Sequence, residues 1–307
     1  MTSGTSRRGR VAGARYLDPV VLARLGNLEW VAHMVVDGFV NGLHKATHLG
    51  VSTDFAEHRA YTLGDDIRRI DWRVYGRTDR LYIKQFVAQT NVDIIIALDV
   101  SASMGFASSA VSKHQFGCIA AACLGQLARQ QRDRVGLVTF DSDIRDFVPP
   151  LGSRSRAFFH RLEAAQPAGE GRLSVALEQV AVRLRRRGLV VVISDAYEPV
   201  PGIVSALENI KGHGHDVTLI QVLDPAEISL GIPATDVLQD METGQRIPVS
   251  LDAIRSDYQQ AAKEHRQELA AACARRAMDY VLADSGKPLD DILAAYLTRR
   301  AARTRTR

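Results

Sequence analysis

The sequence predicts an α/β protein built on a doubly wound, mostly parallel sheet, preceded by a mixed α+β N-terminal region. Three observations carry this prediction. Four short runs, "VDIIIAL" (92–98), "RVGLVTF" (134–140), "LVVVIS" (189–194) and "DVTLIQVL" (216–223), are nearly continuous in apolar, β-branched residues. Strands covered on both faces read this way, whereas half-exposed strands alternate. Helix-period segments separate the runs, and strand–helix–strand alternation implies right-handed crossovers between parallel strands. In such sheets ligands bind beyond the carboxyl ends of the strands. Asp99 follows the first run and Asp195 the third, so both are expected on that edge.

Taken in order, residues 15–50 mix helix-like pieces with glycines, and 51–90 is dense in charge and aromatics. After the first strand, Phe116, Ile119, Ala120, Cys123, Leu124 and Leu127 recur at helical spacing, with Ser112 as the expected N-cap. "LSVALEQVAVRLRRRG" reads as a second amphipathic helix. Arg185, Arg186 and Arg187 fall in its expected last turn, where cations offset the negative end of the dipole, and Gly188 is its expected stop. "VSALENIKGHG" ends similarly before the fourth strand. "LGIPATDVLQDMETGQRIPVS" reads as a short hairpin region turning at "ETGQ". A long polar helix over roughly 251–278 and a shorter one at about 288–302 complete the chain.

Composition narrows the function classes. The 307 residues are 46% hydrophobic and 24% charged, as in ordinary globular proteins rather than disordered ones. No run approaches the roughly 18 apolar residues a membrane span needs, and the basic start "MTSGTSRRGR" is followed by no apolar h-region. Cys118 and Cys123 lie on a predicted helix and Cys273 is the third cysteine, so we expect buried thiols in a reducing compartment, with the cytoplasm as the default. The net charge of +4 comes largely from the ends, including "RRAARTRTR". Without interleaved aromatics, those tails argue against a nucleic-acid role.

The candidate site is the loop "DVSASMGF". Asp99, Ser101 and Ser103 place one carboxylate and two hydroxyls on a tight strand-to-helix turn. Oxygen groups of this kind supply part of the shell of Mg²⁺ or Mn²⁺. They also cap helices, and the triplet by itself reads more readily as a cap. Asp195 on the same expected edge tips the reading toward a cation site.

"IIIALDVSASMGF", "RVGLVTFDSDI" and "VVVISDAYEP" together resemble a von Willebrand factor A-like domain, with its Rossmann-type layers. That resemblance implies a metal-ion-dependent adhesion site on Asp99, Ser101, Ser103 and Asp195. The family's threonine ligand has no counterpart: "GEGRLSVAL" puts Gly171 in its place. Upstream, "YTLGDDIRRIDWRVYGRTDRLYIKQF" (61–86) resembles the signature of the bacterial domain-of-unknown-function family fifty-eight, carried here by Tyr61, Gly64, Asp65, Asp66, Arg68, Ile70, Asp71, Trp72 and Arg77. The organisation this resemblance implies is a basic disordered tail (1–14), a family-specific region (15–90), the A-like domain (91–285), and a C-terminal helix with a basic tail (286–307). It also implies a protein partner, a MoxR-type AAA+ ATPase, in a chaperone-like system.

The expected function is thus a non-enzymatic interaction module with a partly degenerate adhesion site. Two alternatives stay open: a metal-dependent hydrolase using Asp65, Asp66 and Asp71, and a metal-free scaffold. Enzyme templates fail elsewhere. The chain has no G-x-S-x-G elbow and no G-x-x-x-x-G-K-[ST] phosphate loop. Ser101 stands where an aspartyl phosphatase of the haloacid dehalogenase kind needs its second carboxylate. Dense carboxylate–guanidinium pairing gives the Asp65–Arg77 cluster a structural reading as well.

Overall fold

A computed structural model of the protein describes residues 18–46, 58–62, 70–84, 92–151, 156–231 and 237–305. The chain divides into two compact units, Met1–Gly42 with Val92–Arg307, and Leu43–Asn91. This corrects the expected 15–90 region, because α1 (Pro19–Ala23) and most of α2 (Leu28–Ala46) belong with the sheet. The reason is burial: Leu22, Val31, Ala32, Val35 and Val36 pack into the same apolar cluster as Phe116, Ile119 and Leu124.

In the smaller unit, β1 (His58–Ala60) pairs antiparallel with β2 (Tyr82–Lys84), and α3 spans Trp72–Thr78 between them. Asp71 is buried before α3; its N–H donates to the Tyr82 carbonyl (2.8 Å), and its Oδ1 accepts from the Val74 N–H (3.3 Å). It therefore serves α3 as an N-terminal cap. Trp72 is largely exposed, with the Tyr75 ring edge-on at 6.1 Å, and Arg77 lies in the last turn of α3. Asp65, Asp66 and Arg68 lie outside the described residues.

The larger unit continues through β3 (Asp93–Asp99), α4 (Lys113–Gln130), β4 (Arg134–Phe140), β5 (Ile144–Leu151), α5 (Ala157–Ala164), α6 (Leu173–Arg183), β6 (Gly188–Ser194), α7 (Val200–Gly212), β7 (Asp216–Leu223), α8 (Pro225–Ser229), β8 (Val237–Gln239), β9 (Arg246–Pro248), α9 (Leu251–Arg275), β10 (Asp279–Asp284) and α10 (Asp290–Arg305). Its sheet has the order β10-β7-β6-β3-β4-β5, parallel throughout except for β5 at one edge. Numbered within the sheet this is 3-2-1-4-5-6, the doubly wound order, and the order reverses between β3 and β6.

Helices cover both faces, which explains the unbroken apolar runs. In β3, Ile94, Ile96 and Leu98 face one cluster with α4, while Ile95 and Ala97 face the other with α6 and α7. All four expected strands are present. Two more were missed, both at edges. β5 carries Pro149 and Pro150, which an edge strand tolerates, and "DYVLAD" of β10 is bounded by charges. The helix expected to reach 278 stops at Arg275, and Ala277 turns the chain with a φ of 51°.

Two local expectations are corrected. Helix α6 ends at Arg183 and Leu184 is extended, so Arg185, Arg186 and Arg187 lie beyond it. Gly188 is the first residue of β6 instead of a helix stop. A Cβ there would stand 2.1 Å from the Asp93 carbonyl oxygen, so only glycine lets β6 approach β3. Ser112 caps α4 as expected, within a capping box completed by Gln115. The three cysteines are buried and unpaired, and burial pushes the Cys118 thiol up to about 12.

His114 on α4 is buried, with Nε2 3.0 Å from the Ala165 carbonyl and no partner for Nδ1 among the described residues. Burial lowers its pKa, against the hydrogen bond to Ala165. A histidine held below its unfolded value loses stability for the fold as pH falls below about 6.5. The urea midpoint of the wild type should therefore drop between pH 7.5 and 5.5 by more than that of His114→Gln. Parallel curves for the two proteins would refute this.

Candidate functional site

The carboxyl ends of β3 and β6, at the reversal of strand order, open onto a cavity of about 340 Å³. Asp99 closes β3 and is 3% exposed. Its Oδ1 accepts the Ser101 N–H (2.9 Å) and its Oδ2 accepts the Ser194 hydroxyl (2.6 Å). Ser101 Oγ lies 3.0 Å from Ser103 Oγ across a short 3-10 turn, Ala102–Gly105. The side chain of Ser101 makes no capping bond to that turn, so the hydroxyl pair is not spent as a cap. Burial first, and then the charge of Asp195, push the Asp99 carboxyl up to about 7.

The loop after β6 is held from several sides. The Gln221 side chain donates to the Asp195 carbonyl (2.8 Å), and Tyr280 Oη holds Gln221 in turn at 2.6 Å. Ala196 adopts a left-handed backbone, φ 52°, and its carbonyl meets His265 Nε2 at 2.9 Å. Non-glycine residues take that conformation at a cost, which the surrounding bonds sustain.

Asp195 reaches the expected edge, but its Oδ2 is bonded to Lys113 Nζ at 2.8 Å. Lys113 is 1% exposed, and Glu227 Oε1 takes the same ammonium at 2.6 Å. Its charge is flanked by the rings of Phe106 and Tyr197, 6.0 and 5.7 Å away. Burial would lower the lysine pKa, but Asp195 and Glu227 outweigh it and hold it above the ordinary value. Glu227 is also the capping-box residue of α8: its Oε2 accepts the Asp224 N–H at 2.9 Å.

Gly171 sits where the resemblance lacked a threonine. Two backbone bonds dock its loop on the β3 loop, Ala102 N–H to the Gly169 carbonyl (2.9 Å) and Ala168 N–H to the Val100 carbonyl (2.8 Å). The Gly171 N–H donates to Glu242 Oε2 (3.1 Å), from the turn between β8 and β9. That hairpin, with its turn over 240–245, forms where "ETGQ" predicted it.

The structure thus brings Asp99, Ser101, Ser103 and Asp195 to one cleft. Lys113, Glu227, Ser194 and Glu242 escaped the sequence reading. Lys113 left a signal: a cation in the first turn of a helix opposes the dipole and needs carboxylates nearby. So did the "DPAE" capping box at Glu227.

Six carboxylates (Asp99, Asp195, Glu198, Glu227, Asp240 and Glu242) and Lys113 line the cavity, so its field favours a cation. Among the described residues no three His, Cys, Asp or Glu side chains are placed to hold a metal together. A hard cation therefore fits only with the hydroxyls as ligands, on the side of Asp99, Ser101 and Ser103. On the other side Asp195 is already paired with Lys113. Nor, among the described residues, is any helix long and apolar enough to cross a membrane.

The chain is similar to several known proteins. The family described as "Protein of unknown function DUF58" matches residues 57–268. The uncharacterized protein Rv1480 of Mycobacterium tuberculosis is 33% identical over 259 residues, 82% of this chain and 81% of its own length. Uncharacterized protein MAV169 of Mycobacterium avium is 36% identical over 111 residues, 34% of this chain and 62% of its own. Among solved structures, the conserved hypothetical protein BatB from Bacteroides thetaiotaomicron is similar with a TM-score of 0.49 and 20% identity, over 70% of this chain and 100% of BatB. The SpRpn10 VWA domain is similar with a TM-score of 0.41 and 13% identity, over 66% of this chain and 94% of its own.

Proposed function

Because this chain belongs to the DUF58 family and folds as a von Willebrand factor A-like domain, we propose that it is a non-enzymatic protein-interaction module. In this reading Asp99, Ser101 and Ser103 hold Mg²⁺ or Mn²⁺ and present it to a carboxylate of a protein partner. The observation that supports it is the convergence of one buried carboxylate and two hydroxyls, not spent as a helix cap, at the mouth of an acidic cavity, at the strand-order reversal. The cation would supply positive charge to an otherwise anionic cleft, making it receptive to a carboxylate.

The chain's own residues prepare that charge. Ser194 and the Ser101 N–H fix both oxygens of Asp99. Lys113 engages Asp195 Oδ2. In an interaction site, orientation is gained by such fixed geometry at little entropic cost on binding. The partner implied by the family resemblance is a MoxR-type AAA+ ATPase. A structural role for the charged signature is supported by Asp71, whose Oδ1 accepts the Val74 N–H in the first turn of α3.

Calorimetric titration with Mg²⁺ and with Mn²⁺ tests the cation. Heat of binding at one site per chain is expected, and its absence for both ions would overturn this part. Pull-down with the cognate AAA+ ATPase, with and without chelator, tests the partner. Recovery is expected to fall with chelator; equal recovery would mean the interface ignores the cation.

A further inference from the structure

The β8–β9 hairpin is exposed along most of its length, yet Glu242 is half-buried and points into the cleft. Its turn is built to aim it. Asp240 Oδ1 accepts the N–H groups of Glu242 (2.7 Å) and Thr243 (3.1 Å), and Gly244 takes the left-handed φ of 72° that closes the turn. Beside it, Met241 Cε lies 3.6 Å from where a Cβ on Gly105 would stand.

The glycine at 171 gains a physical reason here. A Cβ on it would stand 2.9 Å from Ser101 Cβ and 3.1 Å from both Ser101 Oγ and Glu242 Oε1. The space into which a side chain at 171 would project is thus occupied by the Glu242 carboxylate, next to the Ser101 hydroxyl. Only a residue without a side chain leaves room for it and still offers its N–H to Glu242.

We infer that Glu242 is the site's own anionic ligand, standing in for the side chain absent at Gly171, so that cation binding fastens the hairpin over the cleft and a partner's carboxylate engages by displacing it. This rests on the cation reading above and adds an intramolecular competitor to it. Two carboxylates on one cation-bearing spot compete directly, so the hairpin sets a threshold that the partner's affinity must exceed.

The test follows Mn²⁺ binding by calorimetry and backbone hydrogen exchange of residues 237–248, in wild type and in the isosteric Glu242→Gln. The expected result is affinity lowered at least about tenfold in the variant. Saturating Mn²⁺ should slow hairpin exchange in wild type and leave it unchanged in the variant. Equal affinities would overturn the role of Glu242 while leaving the cation reading intact. Hairpin exchange in wild type that ignores bound Mn²⁺ would overturn the closure, whatever the affinities. No heat with either protein would overturn the cation reading and this inference with it.

Discussion

Lys113→Met is expected to lower the unfolding free energy by about 3–5 kcal/mol, the usual cost of removing one partner from a buried ion pair. The ammonium is 1% exposed and bridges Asp195 at 2.8 Å and Glu227 at 2.6 Å. Methionine keeps most of the volume and the contacts with Phe106 and Tyr197, so the loss isolates the charge. Without the lysine, two carboxylates share a pocket in which burial already raises the Glu227 pKa. Urea denaturation at neutral pH in chelator measures it, with an unchanged m-value as the control for two-state behaviour. Adding Glu227→Gln to Lys113→Met should recover part of the loss by removing one orphaned charge. A loss under about 1 kcal/mol would mean that solvent reaches these carboxylates and the pair is not a buried one.

Asp99→Asn is expected to move binding and stability in opposite directions. Cation binding should disappear from the calorimetric titration, because the neutral amide removes the charge that the two hydroxyls depend on. In chelator at pH 8 the variant should nevertheless be more stable than wild type, by about 2 kcal/mol. The sign comes from Asp99 being pushed up to about 7, mainly by burial and then by Asp195. A carboxyl raised in the fold binds its proton more tightly there than in the unfolded chain. The penalty for ionising it is therefore fully present above about pH 7 and vanishes below about pH 4, where both states are protonated. Wild type and variant should converge in acid. A variant less stable at pH 8 would show that the bonds from Ser101 and Ser194 outweigh desolvation. Sites that hold a ligand commonly trade stability in this way.

The fold was legible where the signal is local. Continuous Val- and Ile-rich runs betray strands buried on both faces, so β3, β4, β6 and β7 could be placed almost to the residue. Edge strands are half-covered and tolerate Pro149, Pro150 and flanking charges, which is why β5 and β10 did not stand out. The arginines at 185–187 misled for a related reason. Helical charge preference describes a turn that exists, and here the helix stops at Arg183 and residues 184–187 form an irregular link to β6. The helices before the sheet were assigned to the wrong unit, since their apolar stripe does not say which surface covers it.

At the site, Asp99, Ser101, Ser103 and Asp195 were readable because each sits a fixed step beyond a recognisable strand. That step, with the strand–helix alternation, is what the sequence alone determined: which edge of the sheet carries these carboxylates and hydroxyls. The tertiary structure decided how those groups are charged and which partners they share. Lys113 and Glu227 are 114 residues apart, and Gly171 and Glu242 are 71 apart. Periodicity and propensity act over one or two turns of chain, whereas the pairing of a buried charge depends on whatever crossovers and hairpins deliver to the same few ångströms.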